Sequence, residues 1–325
     1  MRRVNFAALS RNVSAIGFGC ASLGSRVDAR RGIAALARAY DAGVCWFDVA
    51  PSYGDGHAEA LLGDFLEGKR QQVAVCTKVG ILPSRVSFPM SIAKPVVQGL
   101  IAWLPGLRKH VVKFRSPARA VDLTGAFIES SVVDSLRRLR TDFVDVLALH
   151  EPRLADVQRD DVLRSLDKVV SKGYARTIAV AGDLNVALAA ATMSQRIRII
   201  QLANNPIRPN VALAKPQLPS GQPMGFVTHS VFGQNGSLDT LASMIAEEAD
   251  KRSLLEAAGY CLAPREAAAA FLLDYALASN PDGVVLLSMY QPQHLSFDLG
   301  RLASSPPPDV VLDVAGRLVA TQVCP

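Results

Sequence analysis

Short apolar runs rich in β-branched residues alternate with helix-like patterns along most of this 325-residue sequence. Such alternation is typical of parallel strands joined by crossover helices. The runs that qualify as strands lie at 15–20, 44–49, 72–78, 143–150, 177–182, 197–203, 225–231 and 283–288. Because eight strands that each lead into a helix can close on themselves, the pattern predicts an α/β fold of the (β/α)8 TIM barrel type.

Apolar residues spaced three and four apart predict helices between these strands, each with one face against the core. The two clearest sets are Ala58, Leu61, Leu62, Phe65 and Leu66, and Ile128, Val132, Leu136 and Leu139. A doubly wound parallel sheet is the alternative arrangement. The first turn, GFGCASLG, lacks the full glycine spacing of a dinucleotide-binding fingerprint, which favours the barrel.

The composition indicates a globular chain with a large core, because half of the residues are apolar and a fifth are charged. TIM barrels routinely reach this length, so we predict one domain over residues 1–325. The cysteines are odd in number and scattered, which predicts reduced core residues in a cytoplasmic protein. They are Cys20, Cys45, Cys76, Cys261 and Cys324. No apolar run is long enough to cross a membrane, so no transmembrane segment is predicted.

The segment 81–121 departs from the regular pattern because it holds five prolines, seven basic residues and no acidic residue. It is a long insertion after the third predicted strand, and such insertions are uncommon unless they cover a site or are disordered. We therefore predict a lid or a partner surface, with a flexible excursion or a membrane-surface patch as the alternatives. The net charge of the chain is +6, so the remainder carries −1 and the basic character is local. Nucleic-acid binding is not predicted, since no basic platform interleaved with aromatic residues is present.

Four polar residues lie at or near the ends of predicted strands: Asp48, Lys78, His150 and Gln201. Tyr53 follows closely after Asp48, in the Pro- and Gly-rich loop APSYGDG. Because the carboxyl ends of barrel strands meet at one face, these side chains are predicted to converge there. Each of them taken alone is more simply a structural residue, but four such groups at four strand ends point to a site.

A tyrosine has an ordinary pKa of ~10, so a catalytic tyrosine needs a nearby cation that favours its phenolate. Lys78 is predicted to be that cation, and Asp48 is predicted to keep the buried lysine charged. His150 can then donate a hydrogen bond to a substrate carbonyl and orient it. The predicted chemistry is therefore proton transfer at a carbonyl or alcohol oxygen.

Several segments resemble motifs of the aldo/keto reductase family. FDVAPSYGDGHAEALLG is similar to the segment around the second strand, CTKVG to the segment with the lysine, and DSLRRLRTDFVDVLALHEP to the segment with the histidine. QLANNP is similar to the sixth-strand motif. The resemblance covers nearly all of the chain outside 81–121.

The resemblance implies a (β/α)8 barrel that transfers a hydride between a nicotinamide cofactor and a small aldehyde or ketone, or the corresponding alcohol. NADP(H) is the favoured cofactor and NAD(H) the alternative, with no metal. The implied catalytic residues are Asp48, Tyr53, Lys78 and His150, with Tyr53 as the general acid and base. The implied cofactor-binding residues are Cys20, Gln201, His229, Ser230, Phe232, Gln234, Ser288, Met289, Tyr290 and His294.

Three positions differ from the family pattern. The family usually has a Ser-Asn pair after the fifth strand, where this chain has Ala181-Gly182-Asp183; Asp183 or Asn185 is the candidate substitute. The family usually stacks an aromatic ring such as Tyr under the nicotinamide, where this chain has His229. The loop SMYQPQHLSFDL has neither Arg nor Lys to clamp a 2′-phosphate, which leaves NAD(H) or a clamp from the basic insertion open.

Two other functions are consistent with parts of the sequence. One is a binding or regulatory subunit that keeps the catalytic residues but has little nucleotide turnover, which the altered nicotinamide contacts favour. The other is a metal-dependent barrel hydrolase that uses His57, His150, His229 and His294, although these histidines lack the spacing of metal ligands. His57 is more simply a helix cap or a substrate contact. The substrate, the reaction direction and the oligomeric state are not readable from the sequence.

Overall fold

Eight parallel strands form a closed barrel, as the alternating pattern predicts. A computed structural model describes residues 1–83, 119–120, 122–218, 223–233 and 236–320. The barrel strands are Ile16–Gly19 (β3), Trp46–Asp48 (β4), Ala74–Val79 (β5), Val144–His150 (β8), Ala175–Ala181 (β9), Ile197–Ala203 (β10), Gly225–His229 (β11) and Val284–Leu287 (β12). The barrel closes where β12 pairs with β3, with Leu287 opposite Phe18. The (β/α)8 fold is therefore confirmed.

Helices surround the barrel and bury one face each against its strands. Within the described residues the helices are Ala29–Asp41 (α1), Ala58–Leu66 (α2), Gly125–Leu139 (α3), Leu154–Val157 (α4), Asp160–Ser171 (α5), Leu184–Met193 (α6), Asn210–Ala214 (α7), Ser237–Glu247 (α8), Ala249–Ala257 (α9), Pro264–Ser279 (α10), Pro292–Ser304 (α11) and Pro308–Ala320 (α12). Both predicted apolar stripes lie on helices, and only Leu61 among their members is partly exposed. The spacing of apolar residues thus located α2 and α3 correctly.

The helix α3 shows how local sequence sets the boundaries of these elements. Thr124 precedes the helix in an extended conformation, and its side chain accepts a hydrogen bond from Phe127 N. This bond satisfies one of the amide groups that a helix start leaves without a partner. The helix ends at Arg140, which adopts a left-handed conformation with φ of 52°.

A hairpin precedes the barrel, and the strand pattern did not predict it. Arg3–Phe6 (β1) pairs antiparallel with Arg11–Ser14 (β2). The buried ring of Phe6 meets Trp46 edge to face, with ring centroids 5.2 Å apart. A Cβ atom at Gly225 would lie 2.5 Å from the Phe6 ring, so the first residue of β11 must lack a side chain. The hairpin therefore packs against the amino-terminal end of the barrel.

The predicted insertion begins directly after β5, the third barrel strand. Ile81–Leu82 (β6) pairs antiparallel with Arg119–Ala120 (β7), so the two ends of the segment lie side by side. Residues 84–118 and 121 lie outside the described part of the chain, so the predicted lid or partner surface stays a prediction. The apolar run PVVQGLIAWLPGL lies among these residues.

The cysteines are distributed differently from the prediction in one respect. Cys20, Cys45 and Cys76 are buried and unpaired, as predicted, but Cys261 is exposed, so the prediction of a core residue is wrong there. Cys261 lies between α9 and α10, where the chain crosses the surface. Cys324 is outside the described residues. No helix within the described ranges is long and apolar enough to span a bilayer.

Candidate active site

The strand ends of β4 and β5 bring a carboxylate and an ammonium group together inside the barrel. Asp48 is the last residue of β4, and Lys78 is the fifth of six residues in β5. Both side chains are buried, and Lys78 Nζ donates a hydrogen bond to Asp48 Oδ1. A second bond runs from Lys78 Nζ to the carbonyl oxygen of Val49 at 3.2 Å. The lysine therefore has two fixed acceptors away from solvent.

This ion pair keeps the lysine charged. Burial alone lowers the pKa of an ammonium group, but the adjacent carboxylate of Asp48 and the neighbouring Tyr53 and Cys76 act in the opposite direction. The net effect raises the pKa of Lys78. Lys78 is thus a permanent positive charge at neutral pH, as the sequence predicted.

Gln201 completes the support of this pair from the far side of the barrel. Its amide nitrogen donates to Asp48 Oδ2 at 3.0 Å, and its side chain is buried. The amide oxygen faces the thiol of Cys76, with Oε1 and Sγ 3.9 Å apart. The amide of the predicted cofactor-binding residue Gln201 is therefore engaged with the catalytic candidates.

Tyr53 reaches this pair from a tight turn. The loop after β4 turns into the 3-10 segment Tyr53–Gly56, in which Gly54 and Asp55 have positive φ of 60° and 57°. A Cβ atom at Gly54 would lie 1.8 Å from the carbonyl oxygen of Leu23, so only glycine fits there. The turn directs the Tyr53 ring toward the barrel, with its centroid 4.9 Å from Lys78 Nζ. The glycines of the loop therefore position this tyrosine.

The pKa of Tyr53 departs from the prediction. Lys78 lowers it, as predicted, through its charge and a side-chain hydrogen bond. Burial acts first and more strongly in the opposite direction, since it disfavours the phenolate, and the net pKa is raised. Lys78 thus offsets a desolvation cost without producing a low pKa. Tyr53 is a neutral phenol at pH 7 and retains its proton.

His150 lies at the end of β8, close to the tyrosine. The rings of Tyr53 and His150 meet edge to face with centroids 6.1 Å apart. Burial, followed by the charges of Lys78 and His229, lowers the pKa of His150 to about 3. The imidazole is therefore neutral near pH 7, with one N–H donor and one acceptor. It can orient an oxygen atom by a hydrogen bond, but it has no acidic proton to give.

The end of β11 holds the predicted nicotinamide-stacking residue. His229 is half-buried, and its Nδ1 lies 2.9 Å from Ser230 Oγ. Burial is the largest effect on its pKa and lowers it to about 4, with Asp48 opposing the shift and Lys78 adding to it. Ser230 has a positive φ of 57°, and Phe232 is partly buried. Gln234, also a predicted cofactor contact, lies outside the described residues.

The predicted contacts after β12 divide into packed and accessible side chains. Tyr290 and Met289 are buried, and the Tyr290 ring meets Phe18 edge to face at 5.0 Å. Ser288 and His294 are exposed and therefore accessible to a ligand. Cys20, at the end of β3, is buried, and burial is the first of the effects that raise the pKa of its thiol. It is a neutral packing residue in this structure.

One acidic residue near the site was missed in the sequence. Glu151 follows His150 with a positive φ of 51°, and its carboxylate approaches Gly182 closely. A Cβ atom at Gly182 would lie 3.0 Å from Glu151 Oε2. Burial and the charge of Asp183 raise the pKa of Glu151. Asp183 itself caps α6 by accepting from the amides of Asn185 and Val186. The altered segment therefore presents Asp183, close to Glu151 after β8, instead of a Ser-Asn pair.

The described residues do not group their potential metal ligands. No three His, Cys, Asp or Glu side chains in this part of the chain lie close enough to share an ion. His57 is exposed and stands at the N-cap position of α2, as predicted, but its side chain makes no capping hydrogen bond; its contact with a substrate stays a prediction.

The sequence model described as the aldo/keto reductase family matches residues 15–300. The chain belongs to the aldo/keto reductase family. The matched range contains the buried ion pair, Tyr53 and His150, so the resemblance found from the motifs is confirmed.

Curated relatives of this aldo/keto reductase family member include dehydrogenases named for an aldose and for pyridoxal. It is 31% identical over 206 residues to D-threo-aldose 1-dehydrogenase from a Pseudomonas species, a match that covers 61% of this chain and 58% of the relative. It is 35% identical over 150 residues to pyridoxal 4-dehydrogenase from Microbacterium luteolum, covering 43% and 40%. The chain spans about half the length of the curated relatives it matches.

Solved structures with the same fold include aldo/keto reductases and a dehydrogenase. The glycerol dehydrogenase from Gluconobacter oxydans gives a TM-score of 0.72 at 18% identity and covers 99% of this chain and 96% of that one. The aldo-keto reductase from Klebsiella pneumoniae in complex with NADPH gives 0.67 at 17% identity, covering 96% and 93%. At these sequence identities, the similarity to the two solved structures supports the fold of this family member alone.

Proposed function

We propose that this protein is an NAD(P)(H)-dependent oxidoreductase that transfers a hydride between a nicotinamide cofactor and a small aldehyde or ketone, or the corresponding alcohol. The proposal treats residues 1–325 as one barrel domain. The observation that carries it is the buried Asp48–Lys78 pair directly below the ring of Tyr53, with His150 at the edge of that ring. A barrel needs no such buried charge for stability, since burying two ions costs free energy that packing alone does not require.

The described residues fit a nicotinamide group. Gly182 leaves the end of β9 without a side chain, where a Cβ atom would meet Glu151. The half-buried ring of His229 is neutral at pH 7 and offers a flat face for stacking. Ser230 and Phe232 follow it in the chain, and we propose that they contact the cofactor pyrophosphate, because they match the pyrophosphate-loop positions of the family. Glu151 and Asp183 are the proposed acceptors for the carboxamide N–H groups.

When bound, a nicotinamide cofactor supplies or accepts the hydride. We propose that Tyr53 holds the proton that a carbonyl oxygen takes up on reduction, because Tyr53 is the neutral phenol beside the cation. Lys78 stabilises the phenolate that the transfer leaves, and Asp48 with Gln201 holds Lys78 in place. His150 orients the reacting oxygen through its single N–H group, since its low pKa excludes it as the proton donor.

The proposed substrate class is a small polyol, aldose or aldehyde. The Pseudomonas relative is named for an aldose and the Gluconobacter structure for glycerol, both of which carry an alcohol or carbonyl carbon next to hydroxyl groups. NADP(H) is the favoured cofactor because the Klebsiella structure holds NADPH. Since the loop after β12 lacks a basic residue, we propose that Arg26 supplies the positive charge. It is exposed and its charge acts on the hydroxyl of Tyr290, lowering a pKa that burial raises.

The test is a titration of the purified protein with NADPH and with NADH, followed by fluorescence quenching and by turnover of an aldose and aldehyde panel. Tyr53→Phe removes only the hydroxyl group, so it should bind NADPH as the wild type does and lose about 10²-fold or more in kcat. Tyr174→Phe, at the other end of the barrel, is the matched control and should retain activity.

Three outcomes distinguish the alternatives. Binding with turnover that depends on Tyr53 supports the proposal. Binding without turnover in the wild type favours a binding or regulatory subunit, to which the Ala181-Gly182-Asp183 substitution also points. Absence of binding to either nucleotide contradicts the oxidoreductase proposal.

A further inference from the structure

A cavity lies at the end of the barrel opposite to Tyr53 and His150. Its volume is about 620 Å³, and its walls come from the starts of β9 and β10, from α5 and from the turn of the amino-terminal hairpin. This volume falls in the range that holds small-molecule ligands. None of the residues proposed for the oxidoreductase reaction lines this cavity.

The lining of this cavity is strongly basic. Among the described residues that line it, Arg176, Arg196 and Arg198 are basic and Asp167 alone is acidic, which gives these residues a net charge of +2. Arg196 pairs with Asp167 at 2.9 Å, but both side chains are about half exposed. Exposed pairs of this kind are weak and can exchange for a ligand.

Arg176 and Arg198 are not neutralised by carboxylates of their own. The nearest acid to Arg176 is the fully buried Asp145, whose oxygen lies 3.6 Å away. That carboxylate also binds Arg70 at 2.8 Å and Arg11 at 3.4 Å, so one negative charge serves three guanidinium groups. The side chain of Arg198 makes no ion pair or hydrogen bond with the described residues, although the residue is partly buried.

A buried hydroxyl group points to a ligand independently of these charges. Thr177 lines the same cavity, is 4% exposed, and its Oγ1 atom has no hydrogen-bond partner among the described residues. A buried hydroxyl without a partner costs free energy, and such groups call for an explanation. An oxygen-rich anion between the arginines would accept its hydrogen bond.

We propose that this cavity binds the phosphate group of a small phosphorylated compound through Arg176, Arg198 and the hydroxyl of Thr177. Guanidinium groups bind phosphate with paired N–H donors, and several of them around one ligand suit a tetrahedral dianion. Arg176 is held in position by its stack on the Phe143 ring, 4.6 Å from its centre. The site is separate from the catalytic end, so a compound bound here does not displace the substrate.

The test is calorimetric titration with inorganic phosphate, and with glycerol 3-phosphate as a monoester, at constant ionic strength and without a nicotinamide cofactor. We expect one saturable site in the wild type. Arg198→Ala should weaken it by about tenfold or more, because a charge-assisted hydrogen bond is lost. Arg164→Ala, which removes an exposed arginine from α5 outside the cavity, is the matched control and should change the affinity by less than about twofold.

Thr177→Val separates a binding role from a structural one. Valine has the same shape and lacks the hydroxyl, so Tm without phosphate should rise as the unpartnered group is removed. Phosphate affinity should fall several-fold in the same variant, and the rise of Tm on adding phosphate should shrink. A structural hydroxyl would instead lower Tm when removed and leave phosphate affinity unchanged.

Three results would overturn the proposal. One is no saturable phosphate binding to the wild type. Another is binding that Arg198→Ala leaves intact but Arg26→Ala abolishes, because the phosphate would then occupy the catalytic end. The third is tighter, Arg198-dependent binding of malonate than of phosphate, which would identify a carboxylate site. None of these results depends on whether the oxidoreductase proposal holds.

Discussion

The ammonium group of Lys78 lies 4.9 Å from the centre of the Tyr53 ring while it forms a buried ion pair with Asp48. The tyrosine is therefore close to a fixed positive charge, yet burial raises its pKa. The arrangement keeps the phenol protonated, while the charge of Lys78 opposes part of the rise that burial causes in the pKa of Tyr53. A tyrosine that is protonated at rest is what the proposed role of Tyr53 as a proton donor requires.

Removal of the lysine tests the energetics of the pair. Lys78→Met leaves the Asp48 carboxylate buried and without its cation, so the free energy of unfolding should fall by about 3–5 kcal/mol. Urea unfolding followed by circular dichroism measures this change. The double variant Lys78→Met/Asp48→Leu should regain part of the loss, because the unpaired charge is gone. Lys69→Met, on the surface, is the control, and a loss in Lys78→Met no larger than in this control would contradict the prediction.

The buried histidines predict acid sensitivity. An unfolded histidine binds a proton below about pH 6.5, whereas burial holds the pKa of His150 at about 3 and that of His229 at about 4 in the folded state. Between the folded-state and unfolded-state pKa values the unfolded chain binds more protons than the folded chain. The free energy of unfolding therefore falls as the pH falls below about 6.5. Each group contributes at most about 1.4 kcal/mol per pH unit. The free energy of unfolding of His150→Gln and of His229→Gln should depend less steeply on pH than that of the wild type, and slopes equal to that of the wild type would contradict the prediction.

Asp298 should make the free energy of unfolding depend on pH with the opposite sign. It is buried in α11, and burial raises its pKa to about 7. Between about pH 4 and 7 the folded state therefore binds a proton that the unfolded state has released, so this contribution to stability is lost as the pH rises. Asp298→Asn should be more stable relative to the wild type at about pH 8 than at about pH 5. An equal difference at both pH values would show that Asp298 is not protonated in the folded state.

The proposed role of Arg26 leads to a prediction about the preference for NADPH over NADH. If Arg26 binds the 2′-phosphate, Arg26→Ala should weaken NADPH binding by about tenfold and leave NADH binding nearly unchanged. Arg30→Ala is the matched control, because it removes an exposed arginine from the nearby start of α1. Equal affinities of the wild type for NADPH and NADH would mean that no residue clamps this phosphate.

Much of the fold was readable from local patterns. The eight barrel strands were predicted within a few residues because apolar β-branched runs and helical stripes reflect burial on one element at a time. The hairpin before the barrel was missed, since Arg3–Phe6 and Arg11–Ser14 are short and gain their structure by packing on the barrel. Glu151 carried no signal beyond its position after His150, because its positive φ and its contact with Gly182 exist only in the folded chain.

The sequence by itself determined the order of strands and helices and the residue types available at the strand ends, because these follow from spacing along the chain. The tertiary structure decided which of these groups meet and how burial changes them. Gln201 binds Asp48 from a strand 153 positions away, and Thr177 loses its hydrogen-bond partners only when the barrel closes. Desolvation depends on every neighbour at once, which is why the raised pKa of Tyr53 could not be inferred from Lys78 alone.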